Sequence, residues 1–532
     1  MLKAFRQIAL MGIISRLLGM ARDMAFAYIW GRSGLADLWV VAFMVPNLAT
    51  RVLGEGGLGS SAIPTYMAEL QTDRHSAARF AGALACFVSA ALGLVAISIM
   101  TGLWLWLMIW PTGPQQRLLF LLMALMLPYM VMAGLSIALG ALLNAHQHFL
   151  VPASSPVVLN VAILAGLMLA YTLARVQASA QVMIVSSAVV CAGLVQLAMH
   201  VGMLRRSGVW VIPSWDLGQP RFRQFLRLVL PTVIGLTATQ TNVLLNNLLA
   251  YIATQPTSYL HRWAVIGHGL GNPLGPGAVS GLYYAQRLYQ FPVGVLGIAL
   301  ATAIFPTITK DYCTRGIEAT RASLTSGIKT AVFVAAPASA LLVTCSRLVV
   351  AAVFQHGNFN PTDTAEVSST LACYALGLIA YFLQQVLTRA FYSMASSEGV
   401  RTPLYSGLVA ILANILGSIL LIRPLGAAGL ALSTALAAWL QVSILAVGLG
   451  RMLSKGLWPD IGPAVTRILL ATAAMTITLV FLVRLGGYLP DRRIIEVLWL
   501  AVTSAASGLV YLSTAWILGL DQVRILLSRQ RT

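Results

Sequence analysis

Acidic residues are scarce in this chain: 15 Asp and Glu among 532 residues, against 34 Lys and Arg. All four charged types together reach 9%, where a soluble domain carries about 25%. So few charges cannot cover a water-facing surface, which excludes a soluble globular protein. Polar stretches are short as well, and none is long enough to form a soluble domain between the apolar runs. The five cysteines (Cys86, Cys191, Cys313, Cys345 and Cys373) are scattered without a CxxC pair. A disulfide framework or thiolate metal site is therefore excluded as the organising element.

What is present is apolar. Hydrophobic residues make up 58% of the chain, and the mean hydropathy is +0.83. Apolar runs recur from end to end, each long enough to cross a hydrocarbon core of about 30 Å. This predicts an all-α polytopic membrane protein with about fourteen transmembrane helices. The expected spans are 3–29, 35–63, 80–110, 117–143, 155–174, 181–204, 224–253, 279–308, 323–345, 364–394, 402–422, 426–450, 461–485 and 494–518. Lys3 and Arg6 before the first run resemble the start of a signal peptide. Arg16, Arg22 and Asp23 interrupt that run, however, and no small-x-small cleavage site follows, so an uncleaved first span is expected.

The excess of positive charge has a topological explanation. With the spans above, eighteen Lys and Arg fall on one side, nine on the other, and seven within spans. The two-to-one bias predicts both termini in the cytoplasm and makes nucleic acid an unneeded partner.

A faint internal repeat predicts the domain organisation. Ala62-Ile63-Pro64-Thr65-Tyr66 closes the second span and Ile304-Phe305-Pro306-Thr307-Ile308 closes the eighth. Asn144 to Pro152 and Ser393 to Pro403 bridge corresponding later spans. Two six-helix lobes, residues 1–222 and 223–455, would account for both, with 456–532 forming a C-terminal helix pair and basic tail. Parallel repeats of this kind are a transporter architecture; chance recurrence of proline between helices is the plainer alternative.

Of the seven Lys and Arg within spans, four arginines stand out inside long apolar stretches: Arg16, Arg22, Arg51 and Arg287. Each costs about 2.5–3.5 kcal/mol at a helix centre on insertion scales, so a water-filled cavity that binds an anion would explain keeping them. On a helical wheel Arg16 and Asp23 share a face, while Arg22 lies about 120° away. Either Gly19 permits a bend, or the site is a wide cavity serving a large headgroup, which fits better. Tyr283, Arg287 and Gln290 share a face at i, i+4 and i+7, a cation flanked by hydrogen-bonding groups. Guanidinium forks suit phosphate oxygens. The competing account is structural pairing with Asp23, Asp37 and Glu55, which leaves about one cation over. In the second span, Gly54, Gly56, Gly57 and Gly59 weaken the helix and predict a hinge; close packing through small residues is the alternative. No metal site and no cofactor are expected: His146 and His148 lack helical ligand spacing, and no extramembrane loop carries paired carboxylates or a phosphate-binding loop.

At these residues the chain resembles a known family. SRLLGMARD, Ala36-Asp37, VAFMVPNL, Arg51, Glu55-Gly56, YYAQRLYQFPVGVLGIAL and VFQHGNF are similar to the MurJ (MviN-type) lipid II flippases of the multidrug/oligosaccharidyl-lipid/polysaccharide exporter superfamily. The resemblance covers nearly the whole length. It implies fourteen spans in two six-helix lobes plus a C-terminal pair that supplies a groove for the lipid tail, in the bacterial inner membrane. Its implied substrate is lipid II, a polyprenyl-pyrophosphate-linked peptidoglycan precursor moved by alternating access. Membrane lipids and enzymes of peptidoglycan synthesis are the implied partners, and membrane potential or a monovalent ion the implied drive. Arg16, Arg22 and Arg287 match the family's cavity arginines, and Asp37 and Glu55 its important acids. Departures are Gln286, where an acid often precedes the arginine, Thr50 in place of a paired arginine, and Gln385 in place of a lysine. The 254–278 segment is longer than usual and has no assigned role. An exporter of drugs or other polyprenyl-linked oligosaccharides from the same superfamily is the runner-up. A polyprenyl-sugar transferase would need loop carboxylates that are missing, and a membrane scaffold would have no use for buried arginines.

Overall fold

The computed structural model describes residues 2–54, 58–110, 112–173, 177–254, 274–394, 397–453, 458–486 and 493–523. Helices account for nearly all of them. They form two compact units, Met1–Tyr251 and Ile252–Thr532.

The first unit contains α1 (Leu2–Trp30), α2 (Gly34–Val52), α3 (Leu58–Thr72), α4 (Arg74–Ile109), α5 (Pro114–Ala145), α6 (Leu150–Thr172), α7 (Ala178–Arg206) and most of α8 (Pro220–Thr254). Its helix boundaries follow from local chemistry. Ser33 caps α2 by accepting the Ala36 amide, and Asp73 caps α4 by accepting the Ser76 amide at 3.1 Å. Gly113-Pro114 opens α5 with proline at the first helical position. After α7 the chain runs back along α4, where the Ile212 amide donates to the Ala78 carbonyl. Gly82 permits this approach, since a Cβ there would collide with the Ile212 carbonyl. A core of Tyr66, Phe80, Leu84, Leu142, Phe222 and Phe225 joins α3, α4, α5 and the start of α8.

The second unit contains α9 (Ala278–Pro292), a π-helical segment (Val293–Gly297), α10 (Ile298–Thr314), α11 (Ile317–Thr344), α12 (Ser346–Phe354), α13 (Pro361–Ala375), α14 (Leu378–Ser393), α15 (Ser397–Leu425), α16 (Ala427–Met452), α17 (Trp458–Gly486) and α18 (Arg493–Ile517). Asn360 and Asp363 form a reciprocal capping box around Pro361 at the start of α13. The last two helices pack on each other, and α17 lies against α11, where Arg321 and Asp460 pair at 2.6 Å.

Packing within the two units follows one plan. In the first, α3 touches α4 and α5, α2 touches α5 and α7, and α6 pairs with α7. In the second, α10 touches α11 and α14, α9 touches α13 and α16, and α15 pairs with α16. The helix α5 of the first unit thus corresponds to the pair α13 and α14, which bend by 40°.

Among the described residues, ten helices are long and apolar enough to cross a membrane, or eleven if the bent pair is one span. Three other expected spans, at α1, α8 and α9–α10, are helical but fall outside that set. In α1 the cause is visible: Lys3, Arg6, Arg16, Arg22 and Asp23 distribute charge along its length. In α9–α10 the π segment divides the span. Large apolar side chains face outward along several helices, including Leu94 and Ile97 of α4, Leu412 and Leu416 of α15, and Leu509 and Trp516 of α18. Surfaces this apolar belong in lipid, where each span must satisfy its own backbone hydrogen bonds. All five cysteines are free.

Candidate functional site

The arginines of α1 separate as the helical wheel requires. Arg16 is exposed, whereas Arg22 is 7% and Asp23 3% exposed. Arg22 donates twice to Asp23 Oδ1, from Nε at 3.0 Å and Nη2 at 2.7 Å, and from Nη1 to Asn160 Oδ1 at 2.9 Å. Asn160 in turn donates to the Ser15 carbonyl at 3.0 Å. A guanidinium fork, a carboxylate and a carboxamide thus tie α1 to α6. Asp23 shares a face with Arg16 by angle, and its Oδ1 accepts both bonds from its neighbour Arg22.

Asn160 escaped the sequence reading because its partners lie 138 and 145 residues away. It is the only Asn in α6, and a lone amide in an otherwise apolar span was the available signal. Gly19 faces it without crowding: a Cβ there would sit 3.5 Å from Asn160 Nδ2, an ordinary contact.

In α2, Asp37 occupies the first turn and is 2% exposed, and Arg51 occupies the last turn, half-buried. Each charge sits at the helix end whose dipole favours it. Immediately afterwards the helix changes to π geometry at residues 53 and 54, and α3 begins at Leu58. Glu55, Gly56 and Gly57 lie outside the described residues. Gly54 and Gly59 bear on the choice between hinge and close packing. A Cβ at Gly54 would meet Ile137 Cδ1 at 3.5 Å, and one at Gly59 would meet nothing within 4 Å. Packing therefore does not require glycine at either position. Gly54→Ala and Gly59→Ala are each expected to stabilise the helix by up to about 1 kcal/mol and to slow transport. Thermal unfolding and transport rate measured on the same preparations check this; unchanged transport would remove the hinge assignment.

In the second unit α9 carries the remaining candidates. Arg287 is half-buried and donates from Nη2 to the Tyr283 hydroxyl at 3.2 Å, with its guanidinium carbon 4.6 Å from the Tyr283 ring centroid. The i, i+4 pairing of Tyr283 with Arg287 is thus formed, and it fixes the plane of the guanidinium. Gln290 is half-buried, and its side chain has no hydrogen-bond partner among the described residues. Adjacent Tyr284 points the other way, fully buried against Phe354 and Phe359. Gln286 is structural: its amide donates to the Tyr374 hydroxyl at 3.0 Å. Tyr374 stacks on Tyr289 at 4.8 Å. Proline 292 ends α9, and the π segment follows it directly.

The site residues therefore form one buried ion-pair network and one half-buried cation on a tyrosine face, in separate units. Space between α15 and α16, about 820 Å³ and lined by Arg401, Tyr405, Ser443 and Arg451 among others, contains none of the expected residues. The 254–278 segment falls largely outside the described residues, with His261, Arg262 and His268 in that part.

The family model described as "Lipid II flippase MurJ" matches residues 26–489. A "Probable lipid II flippase MurJ" from Buchnera aphidicola subsp. Acyrthosiphon pisum (strain APS) is 27% identical, covering 98% of each chain. A protein of the same description from Vibrio cholerae serotype O1 is 28% identical, over 90% of this chain and 88% of its own. Among solved structures, "Lipid II flippase MurJ, inward closed conformation" superposes with a TM-score of 0.74 at 20% identity, covering 97% and 99% of the two chains. An inward-facing multidrug resistance MATE family transporter follows at 0.64 and 14%, covering 85% of this chain and 98% of that one. At these identities both structures speak to fold alone.

Proposed function

The chain belongs to the lipid II flippase MurJ family, and on that premise we propose that it moves lipid II from the cytoplasmic to the periplasmic leaflet of the inner membrane. It is a multi-pass membrane transporter, not an enzyme. The observation that carries the substrate is the family match over residues 26–489; Arg287 on its tyrosine face supplies a physical means.

A pyrophosphate headgroup carries roughly two negative charges, and each ion buried in hydrocarbon costs several kcal/mol even after relaxation. Cations held at mid-span offset that cost. In our reading Arg16, Arg51 and Arg287 take the headgroup, Tyr283 and Gln290 donate to its oxygens, and the polyprenyl tail stays in lipid. Arg22 and Asp23 hold α1 against α6 so that Arg16 keeps its position. Asp37 and Glu55 balance the surplus positive charge when no substrate is bound. Two lobes, 1–222 and 223–455, rock about the bound headgroup, and the 456–532 pair guides the tail. Both termini lie in the cytoplasm under the charge bias, which completes fourteen spans. Membrane potential acting on the anion supplies about 2.3 kcal/mol per charge per 100 mV, or a monovalent ion supplies the drive. Enzymes that make and polymerise the precursor are the natural neighbours on either side.

Depleting the protein in growing cells tests the reading. Lipid II is expected to accumulate in the cytoplasmic leaflet, out of reach of externally added cleaving enzyme. Accumulation on the periplasmic side instead would place the block after translocation and defeat the proposal.

A further inference from the structure

The mechanism above makes no use of two buried carboxylates, Glu69 in α3 and Asp311 in α10. They are 7% and 4% exposed. Glu69 Oε2 accepts from Ser76 Oγ of α4 at 2.5 Å, and Asp311 Oδ2 accepts from Ser323 Oγ of α11 at 2.5 Å. Each acid also has an arginine. Arg221 Nε lies 3.5 Å from Glu69 Oε1 while its Nη2 donates to Thr72 at 3.3 Å, and Arg315 Nη1 lies 3.3 Å from Asp311 Oδ1.

The two clusters occupy matching places in the two units. Pro64-Thr65 precedes Glu69 as Pro306-Thr307 precedes Asp311, with the acid five residues after the proline in both. Local spacing does not explain the likeness. Serine follows the acid by 7 residues in one unit and 12 in the other, and one acid is a methylene shorter. The same contact is reached by different routes, so the contact itself is the shared feature.

Its position relative to the helix breaks says what it does. α3 and α10 are the second halves of broken helices, each following a π-helical turn, at residues 53 and 54 and at Val293–Gly297. Apolar contacts between helices permit small slides at little cost, whereas a carboxylate–hydroxyl bond is directional, and breaking it leaves a buried carboxylate oxygen without its donor.

We propose that Glu69 and Asp311 are matched positioning residues that fasten the second half of each broken helix to the helix that follows. Bending is then confined to the π turns, and α2 and α9, which carry Arg51 and Arg287, are the halves that swing. The bond stays closed throughout the cycle. This rests on the transport reading for its purpose, though the fastening itself does not.

Two measurements test it. Spin labels at exposed Met67 of α3 and Arg79 of α4 report the angle between these helices without reference to any substrate. Glu69→Ala is expected to broaden their distance distribution, and Ser76→Ala, which removes only the donor, to do so in the same direction. Hydrogen bonds to a charged group correspond to about tenfold or more in an equilibrium, so the combined Ser76→Ala and Ser323→Ala variant should lose transport by about tenfold. In a chain freed of its five native cysteines, Asp311→Cys with Ser323→Cys should be equally impaired when reduced. Joining those thiols with a short bifunctional reagent should restore transport.

Three results would overturn the proposal: unbroadened distances, full transport in the serine variants, or a bridged protein that is blocked. The last would mean the bond must open during the cycle. Should the unaltered chain fail to expose lipid II while the distances broaden as expected, the proposed function falls and the fastening stands.

Discussion

Replacing Arg287 with alanine is expected to reduce lipid II exposure at the periplasmic face by roughly a hundredfold, the scale of losing charge-assisted hydrogen bonds to an anion. The amount of inserted, folded protein should be unchanged. Arg287 is half-buried and donates to Tyr283 on its own helix, and none of the helix-to-helix contacts described above runs through it. Arg287→Lys should recover only part of the loss. An ammonium keeps the charge but not the planar fork that can engage two phosphate oxygens while lying on a tyrosine ring. Arg16→Ala should behave like Arg287→Ala, because Arg16 is exposed on α1. The check is exposure of labelled lipid II at matched protein levels. Normal exposure in both alanine variants would leave the headgroup without its cations, and the mechanism would fail.

Arg22→Ala is expected to act differently, through stability. The side chain is buried and hydrogen-bonded to Asp23 and Asn160, and its loss takes from the buried Asp23 carboxylate the guanidinium that donates to it twice. Breaking a buried pair by removing one partner costs about 3–5 kcal/mol, whereas replacing both partners with apolar groups is often close to neutral. Arg22→Ala and Asp23→Ala alone should each lower the yield and the unfolding temperature, and Arg22→Met combined with Asp23→Leu should recover much of both. Thermal unfolding in detergent reads this directly. Transport in the recovered double variant then decides the role of Arg22. Activity near that of the unaltered chain would make it a brace between α1 and α6; absence of activity in a stable protein would return it to the headgroup site.

Family resemblance alone groups Arg16, Arg22 and Arg287 as equivalent cavity cations. Their surroundings divide them into one braced pair and two accessible groups. The helical wheel anticipated part of this, since it set Arg22 about 120° from Arg16. It could not anticipate Asn160, which comes from another helix. Likewise the spacing of Tyr283 and Arg287 was enough to predict their contact, because i and i+4 positions on one helix always meet. Which of two adjacent tyrosines entered the core was decided by Phe354 and Phe359, seventy residues further on.

Amino-acid order by itself determined that this protein is helical and that it belongs in a bilayer. Those properties are local: in hydrocarbon every span must satisfy its backbone within itself, so hydropathy suffices to mark them. Tertiary structure alone decided which charges are neutralised, which glycines are free of packing demands, and that Glu69 and Asp311 make one contact twice. A side chain's azimuth on its helix follows from sequence, but its partner is whatever another helix presents there. That choice depends on how distant segments pack, which no local pattern encodes.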